Sequence, residues 1–420
     1  MIRRFILLLA IATSLMVNAA DPTATNYSGA QCEGSAMPYP TPDIALLAYP
    51  DSLTPVFINH VGRHGARFLS SSKYTASLLR TLHRADSLRT ITPAGKKLIK
   101  LCNNIIAKTG GRWGALDSLG MAEQRAIASR TFMLYSNLFD NKKIHAISSY
   151  VPRCIMSMDE FTHQLSRLNN KIEIYTSSGR QNSSIMRPWD EDREYQDYMK
   201  SEAWKEIYEN RIDEETPLSV AKKIVGEKYP LTTEESRDIA INIYKVVSGC
   251  SAMSINADWS QYFSKEEYNA LWSIQNLHHY LTHSASTLSS SAPELASNLL
   301  LNLISTTDEA VKGNNQYSVE LRFGHAETLM PLFALMHLPG CYYMTNYFDT
   351  VGLHWRDFYV VPMAANMQMV LFKSNTGHYY VRVELNEVPV TLIPGRSTIY
   401  TSWEAAKEYL TRCLPLYMQP

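Results

Sequence analysis

The chain has 420 residues, 45% of them hydrophobic and 19% charged, with 40 Lys and Arg balanced by 40 Asp and Glu. That length and apolar content allow one large domain or two ordinary ones around a substantial core, and exclude fibrous and disordered classes. Overall neutrality argues against a nucleic-acid binder or a general membrane-surface binder.

The first nineteen residues read as a separate object. Arg3 and Arg4 form a basic start, residues 5–17 an apolar stretch, and the small residues ending at Ala19 a cleavage site, which together describe a secretory signal peptide over 1–19. No other stretch reaches the ~20 apolar residues of a membrane span. The mature chain is therefore expected to be exported, periplasmic or secreted, without an integral membrane segment. The six cysteines (32, 102, 154, 250, 341 and 413) show no paired spacing of a zinc or redox site. Export permits disulfides, but the spacing selects no pairing.

Residues 55–61 (PVFINHV) predict a short buried strand leading into a glycine-bearing loop. Helical spacing follows over 73–88. The segment 92–110 has a threonine cap, an early proline and a terminal glycine, the marks of a second helix. A third helix is predicted over 121–139, a strand over 142–153 and a helix over 155–168. Strand–helix alternation of this kind implies an α/β fold with a mostly parallel sheet flanked by helices. From 166 to 299 the chain is charge-rich and mainly helical, with capping boxes at 232–235 and 264–267, the second stapled by Phe263 and Tyr268. Alternation returns with a strand ending at Phe323 and a helix after it. Late strands over 358–373 and 378–393 form a hairpin turning at 374–377. The expected division is an α/β core over 45–165 and 300–415, interrupted by a helical insertion over 166–299.

Charge is unevenly spread. Between Arg63 and Arg112 eleven basic residues face one acid, Asp86, whereas fifteen acids face eight bases between Asp190 and Asp238. Many of the basic residues suit a solvated helix face; a strongly anionic small ligand is the functional alternative.

The basic block begins at Arg63-His64-Gly65-Ala66-Arg67. This motif, Arg153, and His325-Ala326-Glu327 all fall just past the ends of predicted strands. Ligands of open α/β sheets bind at the carboxyl ends of the strands, against helix N-termini that favour phosphate. Three arginines and two histidines gathered there need an anion, and phosphate suits the planar guanidinium best. His64 is the candidate nucleophile, the arginines would spread charge off the transferring phosphoryl group, and Glu327 is the candidate acid for the departing alkoxide. Gly65 allows close approach of the backbone to a phosphate.

RHGAR with a distal HAE resembles the histidine acid phosphatases, branch 2 of the histidine phosphatase superfamily, and among them the multiple inositol-polyphosphate phosphatases that act on phytate. Residues 116–124 (LDSLGMAEQ), 151–161 (VPRCIMSMDEF) and the late strands extend the resemblance over most of the mature chain. It implies a Rossmann-like core with a helical cap and a phosphohistidine on His64. Arg63, Arg67 and Arg153 become phosphate clamps, His325 a further phosphate ligand and Glu327 the proton donor. In most relatives an aspartate follows the distal histidine directly; Ala326 stands there, and HAE marks the inositol-polyphosphate group. Many relatives also carry Pro-Thr after the second arginine, where this chain has Phe68-Leu69-Ser70. Lys73, Arg180 and Arg187 are expected contacts to distal phosphates from the cap.

The expected activity is a phosphomonoesterase on a small polyphosphorylated substrate, acting as a monomer without cofactor, metal or nucleic acid. The alternatives are a broad phosphatase of small monoesters, a mutase, a non-catalytic phosphosugar binder and a metal-dependent hydrolase. For the last, His279 and His283 are the best pair, though they lack the glutamate of an HExxH motif and fit a helix face.

Overall fold

A computed structural model describes residues 25–419; the signal expected over 1–19 lies outside the described residues. Eight strands form one sheet: β1 Leu53–Arg63, β2 Lys143–Ser148, β3 Glu173–Ser178, β4 Val319–Gly324, β5 Asn366–Ser374, β6 Tyr379–Leu385, β7 Val388–Val390 and β8 Thr401–Ser402. Their order is β3-β2-β4-β1-β5-β6-β7, with β8 paired to β6. The pairs β3-β2, β2-β4 and β4-β1 are parallel. On its other side β1 pairs antiparallel with β5, and β5 with β6, so the late strands form a hairpin closing the sheet.

β1 sits near the middle and is buried from Phe57 to Arg63, as its unbroken apolar run requires when helices cover both faces. Alternate residues serve opposite layers. Phe57 and Val61 pack with Leu299, Leu303, Leu329 and Phe333, while Ile58 packs with Ile127, Phe161 and Leu165. The second layer comes from α3, Ser118–Leu134, and α4, Pro152–Leu168. Of the earlier helices, α1 spans Lys73–Ser87 and α2 Pro93–Thr109.

Most elements lie where the sequence puts them, and the differences have local causes. Thr92 accepts a hydrogen bond from Gly95 N–H, Pro93 opens α2, and Gly110 closes it at φ 54°, as expected. Asp117 caps α3 through Leu119 N–H, so that helix starts at Ser118 rather than 121. Pro152 opens α4, which ends the expected strand early and puts Arg153 in a helix's first turn. Residues 358–365 are not strand: a helical turn covers Asp357–Val360, and Ala364 has φ 54°, a left-handed conformation incompatible with an extended ladder.

Between 166 and 299 the chain is mainly helical, and both capping boxes are formed. Phe263 and Tyr268 stack at 5.1 Å between ring centroids. Two features cut across the expected division. Residues 173–178 form an edge strand of the main sheet, paired with β2. Moreover, α1 and α2 do not cover the sheet; Leu78, Leu82 and Leu98 pack with Ile224, Ile243 and Leu271. The apolar stripe of α1 finds its cover on the helix Thr233–Val247, so the lateral helical layer is drawn from two separate stretches of chain.

Candidate active site

Sheet register builds the site. Arg63 pairs with Gly324, so His64 and His325 leave β1 and β4 side by side, their rings 5.7 Å apart. Ser148 pairs with Phe323, which brings Ser149 and the start of α4 to the same edge. The three strand ends thus deliver RHGAR, Arg153 and HAE to one crevice.

The RHGAR loop is held from beneath by α3. A Cβ on Gly65 would lie 2.4 Å from Gly120 O, and one on Gly120 would lie 2.2 Å from Ala66 O, so both positions need glycine for steric reasons. Gln124 donates to Arg63 O at 3.0 Å, and the Glu123 carboxylate accepts from Ala66 N–H at 2.7 Å. The Gly65 amide donates to Ser157 Oγ. The segment 116–124 is therefore the bed on which the motif rests.

His64 Nδ1 lies 2.9 Å from Gly65 O. A carbonyl only accepts, so Nδ1 carries the proton and Nε2 keeps its lone pair. Burial pushes the His64 pKa well below its usual value, and the charges of Arg63, Arg153 and Arg67 push the same way. Both effects favour the neutral ring, whose free Nε2 lone pair can act as a nucleophile.

The Arg63 guanidinium is anchored on Ser35 O at 2.6 Å and Val361 O at 2.5 Å. Burial lowers its pKa to about 10 and that of Arg67 to about 9, Arg153 adding to both. The Nε atoms of Arg63, Arg67 and Arg153 are buried without a protein acceptor. Buried, mutually repelling donors of this kind favour a polyanionic ligand.

His325 lies between guanidinium groups. Arg153 approaches Nδ1 at 3.1 Å, Arg187 approaches Nε2 at 3.2 Å, and Ser149 Oγ stands 3.0 Å from Nε2. A neutral ring has one ring lone pair, so it can accept from only one of the two guanidinium groups at a time. Burial takes the His325 pKa down to about 3, with Arg153, Arg187 and Arg63 reinforcing it against Glu327. Glu327 occupies the second position of the helix Ala326–Leu335. Burial alone would raise its pKa; His325 and His283 where they are protonated, together with a backbone N–H at the helix start and the Arg63 charge, oppose it and hold the carboxyl below the usual range.

The cap residues divide. Arg187 reaches His325 while both Asp190 carboxylate oxygens grip it, at 2.8 and 2.9 Å. Lys73 and Arg180 stay at the surface. Lys73 is exposed over the Tyr74 ring, and Arg180 is exposed over Tyr150. A cavity of about 480 Å³ adjoins the crevice through Ser35, Arg67 and Ser70. Its far wall carries Tyr74, Tyr208, Lys245, Gln275 and His278, which the sequence did not single out, and His279, which it considered only as half of a metal pair. His279 bonds the buried Asp357 at 2.9 Å and His283 faces the Tyr195 hydroxyl at 3.1 Å, so the two histidines have separate partners. All six cysteines are free thiols.

Fold and site together define a histidine-type phosphatase. Residues 56–386 match the family model described as "Histidine phosphatase superfamily (branch 2)", and the chain belongs to that family. A Gallus gallus protein named multiple inositol polyphosphate phosphatase 1 is 29% identical over 162 residues, 35% of this chain and 35% of that protein. The matched segment thus spans about a third of that relative's length. The apo crystal structure of Bifidobacterium longum multiple inositol polyphosphate phosphatase superposes with a TM-score of 0.78 at 19% identity, covering 90% of this chain and 97% of that one. Its complex with inositol hexasulfate gives 0.75 at 18% identity, covering 92% and 99%. The phytase from D. castellii gives 0.70 at 15%, covering 95% and 89%. Similarity at such identities speaks for the fold.

Proposed function

We propose that the protein is an exported, monomeric phosphomonoesterase that removes phosphate from inositol polyphosphates such as phytate. The observation that carries this reading is the neutral His64 ring, Nε2 unprotonated, set among Arg63, Arg67 and Arg153 with Glu327 in the same crevice. His64 Nε2 attacks phosphorus and the ester P–O bond breaks. Glu327 gives its proton to the departing alkoxide, leaving a phosphohistidine. Water then attacks phosphorus, Glu327 takes the water's proton, the N–P bond breaks and inorganic phosphate leaves. Charge stabilisation comes from the arginines, and His325 joins them in binding the phosphoryl group.

The substrate class is supported by the cavity beyond Arg67, whose wall carries Lys245, His278 and His279. The Gallus gallus and Bifidobacterium longum relatives, named for inositol polyphosphates, point the same way. Export rests on the leader in the sequence; among the described residues no helix is long and apolar enough to cross a membrane.

The test compares kcat/KM for phytate and for a sugar monophosphate, without added metal, at acidic to neutral pH. Preference for phytate is the expected result. Equal or greater efficiency on the monophosphate would favour a broad monoester phosphatase instead.

A further inference from the structure

Glu33 is the one acidic side chain, among the described residues, that lines the cavity next to the reaction centre. Every other charged residue of that wall is basic. Glu33 lies in the turn Gln31–Ala36, two residues before Ser35, whose carbonyl holds Arg63. Its Oε1 accepts a hydrogen bond from the Ser251 hydroxyl at 2.5 Å. Burial pushes its carboxyl up to about 7, opposed by the Ser251 hydrogen bond and by no neighbouring charge.

The groups packed around it hold their protons through the same range. Burial raises Cys32 and Cys250 to about 12, and Tyr244 and Tyr268 lie well above their usual value. Across the cavity are Arg67 from the motif loop, Lys245 from the helix Thr233–Val247, and His278 with the Asp357-bound His279 from the helix Lys265–His283. Burial takes His278 down to about 3, so it is neutral.

We propose that Glu33 makes the cavity's affinity for a multiply charged anion depend on pH: as the acid it offers that anion a hydrogen bond, and as the carboxylate it repels it. The inference rests on the inositol-polyphosphate reading, because a repulsion of this kind scales with the charge of the ligand. Affinity is highest while Glu33 is protonated, below pH 7, and falls as the pH rises past neutrality.

The probe is myo-inositol hexakissulfate, whose charge stays constant between pH 5 and 9, used as an inhibitor of p-nitrophenyl phosphate hydrolysis. In the unaltered protein its Ki rises from pH 5.5 to 8.5. In Glu33→Gln, which keeps the shape of the neutral acid, that rise shrinks by roughly three- to tenfold. Titrations elsewhere are common to both proteins and cancel in the comparison. Ser251→Ala removes a hydrogen bond that favours the carboxylate, so it moves the midpoint to higher pH. A residue that merely supported the fold would produce neither change. Identical Ki–pH curves for the unaltered protein and Glu33→Gln would overturn the proposal and leave the substrate class standing. Absence of inhibition at every pH in the unaltered protein would overturn the substrate class, and the proposal with it.

Discussion

Gly65 and Gly120 touch backbone to backbone: a Cβ on Gly65 would stand 2.6 Å from Gly120 Cα. One residue belongs to the loop that carries His64, the proposed nucleophile, the other to the helix beneath it. Gly120→Ala should therefore displace the loop, since the obstructing atoms are main chain and cannot rotate aside. We expect kcat to fall by at least roughly tenfold, as an ångström-scale displacement of a nucleophile costs that much or more, together with a lowered melting temperature. Steady-state kinetics with a thermal melt check both. Undiminished kcat would show that the loop is not held by this contact.

His64→Ala removes the proposed acceptor of the phosphoryl group. Phosphate release should drop by about 10³-fold or more while inositol hexakissulfate still binds, because the arginines remain. Binding by calorimetry and turnover by phosphate release separate the two effects. Full activity in this variant sinks the phosphohistidine mechanism.

The surroundings of Glu327 favour its carboxylate in the free protein, yet an acid must carry its proton into the reaction. A bound phosphate dianion neutralises part of the surrounding positive charge and pushes the carboxyl back up. The proton is thus loaded with the substrate, so kcat should fall as pH rises through the carboxyl's value in the complex. Glu327→Gln should remove that limb of the profile. It should slow alkyl phosphates by about 10²-fold or more and aryl phosphates, whose leaving group needs no proton, much less. Equal losses on both classes would take the acid role from Glu327.

The unpaired Glu33 has a thermodynamic signature independent of ligand. Its folded-state value, about 7, exceeds the ordinary 4.5, so the folded chain binds this proton more tightly than the unfolded one. The resulting stability is fully present below pH 4.5 and is lost as pH rises through 7. Glu33→Gln escapes the loss. Chemical denaturation should show the variant gaining on the unaltered protein by about 1–3 kcal/mol between pH 5 and 8, the lower figure applying if water reaches the carboxyl. A constant difference across that range would contradict the buried, unpaired state.

What could be read in the sequence was what strands and turns impose locally. RHGAR follows an unbroken apolar run, HAE follows another, and strand ends are where such crevices form. The far wall of the cavity had no such marker. Lys245, Gln275 and His279 sit on helices whose apolar spacing records only their packing, and their common direction arises from how those two helices pack in the fold. Lys73 was the natural basic candidate on α1. Successive helical side chains point about 100° apart, so with Tyr74 turned to the cavity, Lys73 is left in solvent. Arg187 was nameable from its charge, but its grip by Asp190 and approach to His325 required the fold. The strand at 173–178, polar and largely exposed, lacks the hydrophobic alternation that marks a strand from sequence.

The strand order also sets a schedule for biogenesis. β1, which leads into the candidate nucleophile, has β4 and β5 as its neighbouring strands, and neither exists until the ribosome has passed residues 319–374. Such distant pairings form slowly, because a long loop must close before any bond rewards it. A nascent chain thus carries RHGAR for most of its synthesis with no partner strand to hold it. The crevice is assembled late, when the final quarter of the polypeptide places β4 between β2 and β1.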